Sequence, residues 1–137
     1  MNHSNSEIWI HWIFVTIGRQ ALIDAPREKL LCRTLENFIE VFANSHGAFS
    51  VLNDHFHLLI KLPLDHLPEA FVNILKHEIR LSLDSSGLKD DFLNWEGDRY
   101  AHSVSLNQLS VEKNSINRQD VKHQKVSLSE ELKFFGM

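Results

Sequence analysis

The chain has one cysteine, Cys32, so no internal disulfide can staple it, and a reducing cytoplasm is the expected location. Five glycines and three prolines are too few for collagen-like or low-complexity classes. No apolar run approaches the roughly 20 residues that a membrane-spanning helix needs. Residues 1–7 are polar and lack the basic-then-apolar order of a secretory signal. A basic excess is also missing: 14 lysines and arginines face 18 aspartates and glutamates, a net charge of −4. Domains that bind nucleic acid usually carry the opposite balance, so any such binding here must use a local patch. What remains is a 137-residue chain, 43% hydrophobic, of a size that a single core serves. Nine histidines are its one unusual count, and histidine is both the commonest metal ligand and the usual acid–base group near neutral pH.

Residues 7–17 are apolar on both alternating faces, Ile8, Ile10, Trp12 and Phe14 against Trp9, Ile13, Val15 and Ile17, which predicts a central strand. Asp24 as a cap and Pro26 in the first turn open a helix that runs to about Ser45 and ends at Gly47. Its stripe is Leu30, Leu31, Leu35, Phe38, Ile39 and Phe42. Residues 48–52 and 55–62 form two strands joined by Asn53-Asp54, a pair that suits a left-handed hairpin turn. Pro68 opens a second helix with Phe71, Ile74, Leu75, Ile79 and Leu83 inward. Residues 88–98 are a loop anchored by Phe92 and Trp95, and residues 99–104 a fourth strand. Residues 107–123 make a polar helix with only Leu109, Val111, Ile116 and Val121 to bury, suited to lie on the body or on a partner chain. A Ser127-x-x-Glu130 capping box begins a last helix with Leu132, Phe134 and Phe135. The order is that of the ferredoxin-like, RNA-recognition-motif-like α+β fold, a βαββαβ antiparallel sheet, with two added C-terminal helices. Residues 1–105 form the core and residues 106–137 the added helices of the same single domain.

The sharpest local feature is Asp54-His55-Phe56-His57, in which two histidines share one face of a strand while Phe56 points into the other layer. Two imidazoles on a rigid face can share a divalent ion, although a half-buried polar face also explains them, and a third ligand must come from elsewhere. In the helix of residues 107–123, Ser115 and Gln119 lie one turn apart on one face. Taken alone, such a polar helix reads as a solvated surface. His3, His11, His46, His66, His77 and His102 show no ligand spacing and read as bystanders.

Four features stand in a recognisable order: Gly18-Arg19-Gln20-Ala21-Leu22-Ile23 after the first strand, the His-Phe-His strand, Trp95 with Ser103-Val104-Ser105, and a helix with Gln119 and His123. With them the chain resembles the single-tyrosine HUH transposases of small insertion sequences and their REP-associated relatives, over nearly its whole length. The resemblance implies a homodimer in the cytoplasm, associated with the bacterial nucleoid, that recognises single-stranded DNA hairpins at element ends. It implies Mg²⁺ or Mn²⁺ held by His55, His57 and Gln119, with no organic cofactor and no membrane partner. It also implies a tyrosine, one helical turn before the glutamine, that attacks a DNA phosphate and becomes linked to a 5′ end.

That tyrosine is missing. Ser115 occupies its position, and the sole tyrosine, Tyr100, falls in the fourth strand, in a different part of the motif. Lys122-His123 stands where relatives often have two adjacent histidines. A tyrosine hydroxyl has a pKa of about 10, whereas a serine alkoxide is far more basic and a poorer leaving group. Serine is also about 4–5 Å shorter, and a misplacement of about 1 Å can cost a hundredfold in rate. Covalent strand transfer is therefore expected to be impaired, while hydrolysis by water with a metal remains chemically open, with His123 or Asp54 as candidate bases. The local cationic patch is drawn from Arg19, Lys61, Lys76, Arg80, Lys113, Arg118, Lys122 and Lys125. Trp95 is the candidate for stacking on bases, and Trp9 and Trp12 read as core. Two other readings stand beside a transposase: a co-opted DNA binder or repressor without chemistry, and a metal-binding dimeric scaffold that does not touch DNA.

Overall fold

The computed structural model describes residues 7–62, 68–93, 95 and 99–117. In chain order they form β1 (Trp9–Val15), α1 (Ala25–Ala43), β2 (Gly47–Val51), β3 (His55–Lys61), α2 (Pro68–Ser85), β4 (Arg99–Val104) and α3 (Leu109–Asn117). The four strands make one antiparallel sheet in the order β2-β3-β1-β4, the ferredoxin-like arrangement anticipated from the sequence. β1 lies inside the sheet with helices over both of its faces, and every one of its residues is buried.

One face of the sheet carries the main core. Ile10, Trp12 and Phe14 of β1 and Phe56, Leu58 and Ile60 of β3 pack against Leu31, Leu35 and Phe38 of α1 and Phe71, Leu75 and Ile79 of α2. Phe92 and Trp95 join this core and anchor the α2–β4 connection, as expected of the two large aromatics in that loop. The opposite face is covered by α3, whose Ile116 is fully buried against Trp9, Leu59 and Val104. Ile116 is the one fully buried apolar side chain of α3 among the described residues, so this packing is what holds α3 in place. Val111, expected to turn inward, is 53% exposed. Val121 and the helix begun by the Ser127 capping box lie outside the described residues.

Asp24 caps α1 by accepting a hydrogen bond from the Arg27 amide at 3.1 Å, and Pro26 sits in the first turn. The helix ends on Asn44, in the left-handed region at φ 48°, and not on Gly47. Gly47 is instead the first residue of β2, where a side chain would meet the Leu59 carbonyl oxygen at 2.8 Å. The β2–β3 turn also departs from the left-handed geometry read from Asn53-Asp54, since neither residue has a positive φ. The turn closes with the Leu52 amide donating to the His55 carbonyl at 2.9 Å. The Asn53 and Asp54 carbonyls accept from the Ile23 and Thr16 amides at 2.9 and 3.0 Å, so the segment after β1 shapes the turn. Among the described residues, no helix is long and apolar enough to cross a membrane.

Candidate metal centre

The period-two alternation of β3 places His55 and His57 on the face opposite the main core, and both are fully buried. Their ring centres lie 5.0 Å apart. His55 Nδ1 is 2.6 Å from Asp54 Oδ1. A carboxylate can only accept, so His55 donates from Nδ1, which leaves the lone pair of the neutral ring on Nε2. His57 Nδ1 is 2.9 Å from Nε2 of His11, on the neighbouring strand β1. The Nε2 atoms of both His55 and His57 are buried. Two imidazoles on one strand, each with Nδ1 committed to a hydrogen bond, fit the nitrogen half of a divalent-cation site. Gln119, the expected third ligand, lies outside the described residues.

Beyond His57 the structure assembles a second group that the spacing of the sequence did not reveal. His11 and His102 are directly opposed across the β1–β4 ladder. Glu112 reaches them from α3, its Oε1 lying 2.8 Å from His11 Nδ1 and 2.5 Å from His102 Nε2. His11 and His102, read as bystanders, thus converge with Glu112, and one ligand atom from each lies within 4.8 Å of the others. Two histidines and a glutamate are a donor set that can itself hold a divalent ion. Burial alone would raise the Glu112 carboxyl, but the hydrogen bonds from His11 and His102 and their charge outweigh it and hold it below the ordinary carboxylate range. His11 shares the odd-numbered face of β1 with Trp9, and that parity was the available sign of its position. No local pattern points to Glu112, which is 101 residues from His11.

Ser115 is half-buried on α3, one turn beyond Glu112. The cations anticipated as one patch are divided between two layers. Lys113 lies on the histidine side, its ammonium 4.7 Å from the centre of the Trp9 ring. Lys61 follows the same parity as His57 and pairs with Glu7 at 3.8 Å. Arg19, held in the left-handed region at φ 54°, donates to the Tyr100 hydroxyl at 2.8 Å. Tyr100 is paired with Ile13 in the β1–β4 ladder, on the histidine face. Lys76 and Arg80 do not join them: both are on α2, across the sheet, where Lys76 lies over the Trp95 ring and Arg80 pairs with Asp90 at 2.7 Å. Trp95 is likewise corrected. It is 7% exposed and packs edge-on against Phe14, so its ring serves the core and offers no face to a base. Arg118, Lys122, His123 and Lys125 lie outside the described residues.

A histidine pair thus lies on an inner strand of a ferredoxin-like sheet, with two helices on one face and α3 laid across the other. The family model of IS200-like transposases matches residues 4–124, and the chain belongs to that family. Its fold is similar to that of a candidate transposase from Deinococcus radiodurans R1, with 18% identity and a TM-score of 0.56 over 87% of this chain and 95% of the other. It is also similar to a REP-associated tyrosine transposase solved bound to a REP hairpin, with 16% identity and a TM-score of 0.59 over 92% of this chain and 76% of that one. No curated protein matches the chain.

Proposed function

We propose that the chain is a transposase homologue that binds single-stranded DNA hairpins with Mg²⁺ or Mn²⁺ and has lost the covalent step of transposition. The observation that carries this reading is the pair His55 and His57, buried side by side with both Nδ1 atoms engaged, in a member of the IS200-like family. His55 and His57 supply two nitrogen ligands, and Gln119 the third. A divalent ion held there would polarise a DNA phosphate and favour attack on it. Arg19, Lys61 and Lys113 border the same face and bind the DNA backbone, joined by Arg118, Lys122 and Lys125 from the segment that follows α3. This supplies the local positive patch that a chain of net charge −4 requires. The likeness in fold to a transposase solved with a REP hairpin supports a hairpin as the ligand.

Ser115 stands where the nucleophile belongs and cannot replace it. Its hydroxyl is too short to reach a phosphate placed for tyrosine and too basic to leave when the link is reversed. The protein therefore occupies hairpins without joining to them, as a repressor or as a partner of an active relative. The active unit is a homodimer in the cytoplasm at the bacterial nucleoid, and residues 106–137 complete the site of the core formed by residues 1–105.

The test compares the natural protein with Ser115→Tyr. Each is incubated with Mn²⁺ and hairpin-bearing single strands from the DNA flanking the gene, and scored for binding, cleavage and covalent attachment. Binding by both with linkage by the tyrosine form alone is the expected result. Covalent linkage by the natural protein would refute the loss of the nucleophile, and absence of hairpin binding at low salt would leave the metal-binding scaffold as the better reading.

A further inference from the structure

We propose that Glu112 and His11 form a proton-ordered relay that fixes His57 in the tautomer able to ligate a metal ion, which makes both of them positioning residues of the site. The proposal rests on the reading of His55 and His57 as ligands. It uses three residues from three elements, His57 on β3, His11 on β1 and Glu112 on α3. The contacts are 2.9 Å from His57 Nδ1 to His11 Nε2 and 2.8 Å from His11 Nδ1 to Glu112 Oε1.

The direction of each hydrogen bond follows from the acid at the end. An ionised carboxylate only accepts, so the proton between His11 and Glu112 sits on His11 Nδ1. With His11 in its neutral form the imidazole carries one N–H, so His11 Nε2 is then an acceptor; an imidazolium would donate from both nitrogens and reverse the order. His11 Nε2 can accept only if His57 Nδ1 carries the proton, and the lone pair of His57 is thereby assigned to Nε2, a buried nitrogen. Burial strengthens the ordering, because His11 and His57 are both fully buried and water does not compete for their nitrogens. His102 donates to the same Glu112 oxygen from Nε2, which holds the carboxylate in place but lies outside the line to His57. His55 reaches the same tautomer by a shorter route, through Asp54 of its own turn.

The relay also decides between two metal sites. An ion on His11 Nδ1, His102 and Glu112 would displace the proton from His11 Nδ1 to Nε2. His57 Nδ1 would then have to accept, and the proton moved to His57 Nε2 would block ligation there. The two sites are therefore mutually exclusive, and the relay assigns the ion to His57.

Two measurements on the full chain test this. The first needs no metal: ¹⁵N-detected imidazole spectra report which nitrogen of His57 is protonated, in the natural protein and in Glu112→Gln and His11→Phe. The Nδ1–H form is expected in the natural protein, with a shift toward the Nε2–H form in both variants, while circular dichroism shows that they remain folded. The second is calorimetric titration with Mn²⁺ alone. Glu112→Gln and His11→Phe are expected to weaken binding by about 10–100-fold, His102→Phe by less than either, and His55→Ala to abolish it. An Nε2–H tautomer in the natural protein overturns the relay. So does Mn²⁺ affinity unchanged in Glu112→Gln and His11→Phe but lost in His55→Ala. Binding that survives His55→Ala and is lost in His102→Phe also overturns it, and moves the ion to the His11 group. An Nδ1–H tautomer with no Mn²⁺ binding by any form overturns the metal reading beneath it and leaves the hydrogen-bond order standing.

Discussion

Ile116→Ala isolates the contact that holds α3 over the histidine face. Ile116 is fully buried, and α3 presents no other fully inward apolar side chain among the described residues. The substitution removes about 2.4 kcal/mol of transfer free energy at roughly 0.8 kcal/mol per carbon, and the cavity left among Trp9, Leu59 and Val104 brings the cost to about 3 kcal/mol. The described part of α3 packs on one face of the sheet, whereas the main core is on the other. The loss should therefore appear as local undocking of α3 and not as global unfolding. Native-state hydrogen exchange reads this directly. At about 1.4 kcal/mol per tenfold, the α3 amides should exchange about two orders of magnitude faster, while those of β1 and β3 change far less. Because Glu112 is on the same helix, the imidazole signals of His11 and His102 should broaden or move in the variant. Unchanged protection of α3 would refute the claim that Ile116 carries its docking. Equal loss in β1 and β3 would show that α3 and the core unfold as one unit.

Phe56→Ala, in the strand between the two histidines, should destabilise the protein globally by about 3–5 kcal/mol in urea unfolding, since Phe56 is fully buried and stacked 4.9 Å from Phe14. Gly47→Ala should cost about 1–3 kcal/mol in the same assay, because the added carbon meets the Leu59 carbonyl at 2.8 Å and Ile39 at 3.0 Å. Neutral stability there would show that β2 can shift outward without loss. The Glu112 carboxyl is depressed in the folded state, so its contribution is complete above the unfolded value and is lost as pH falls through the folded one. Acid unfolding of Glu112→Gln should accordingly show a shallower loss of stability than the natural protein below about pH 4.5; parallel curves would contradict the depressed carboxyl.

The fold was legible in the chain because its cues are local. The period-two run of β1, the period of the two long helices and the Asp24 cap each specify an element within a dozen or so residues. The order of those elements then leaves few sheet topologies. The placement of His55 and His57 on one face was equally legible, since the alternation of a strand is fixed by its backbone. Where the local cues were ambiguous, long-range hydrogen bonds decided. Asn53-Asp54 permits a left-handed turn, but the Ile23 and Thr16 amides claim its carbonyls. Gly47 resembles a helix terminator, yet Asn44 takes that place and the Leu59 carbonyl explains the glycine.

The histidine network could not be read from the sequence, because its partners meet only when the register of the sheet is set. His11 is 46 residues from His57 and 101 from Glu112, and the β1–β4 ladder is what sets His102 opposite His11. Burial was likewise a tertiary outcome: Trp95, polar-flanked in sequence, is claimed by Phe14, while Lys76 and Arg80 follow α2 to the far side of the sheet. The sequence by itself determined the element order, the central strand and the shared face of His55 and His57, since these follow from periodicity. Tertiary structure alone decided which nitrogen each imidazole presents, because a tautomer depends on the partner that the fold brings to the other side of the ring.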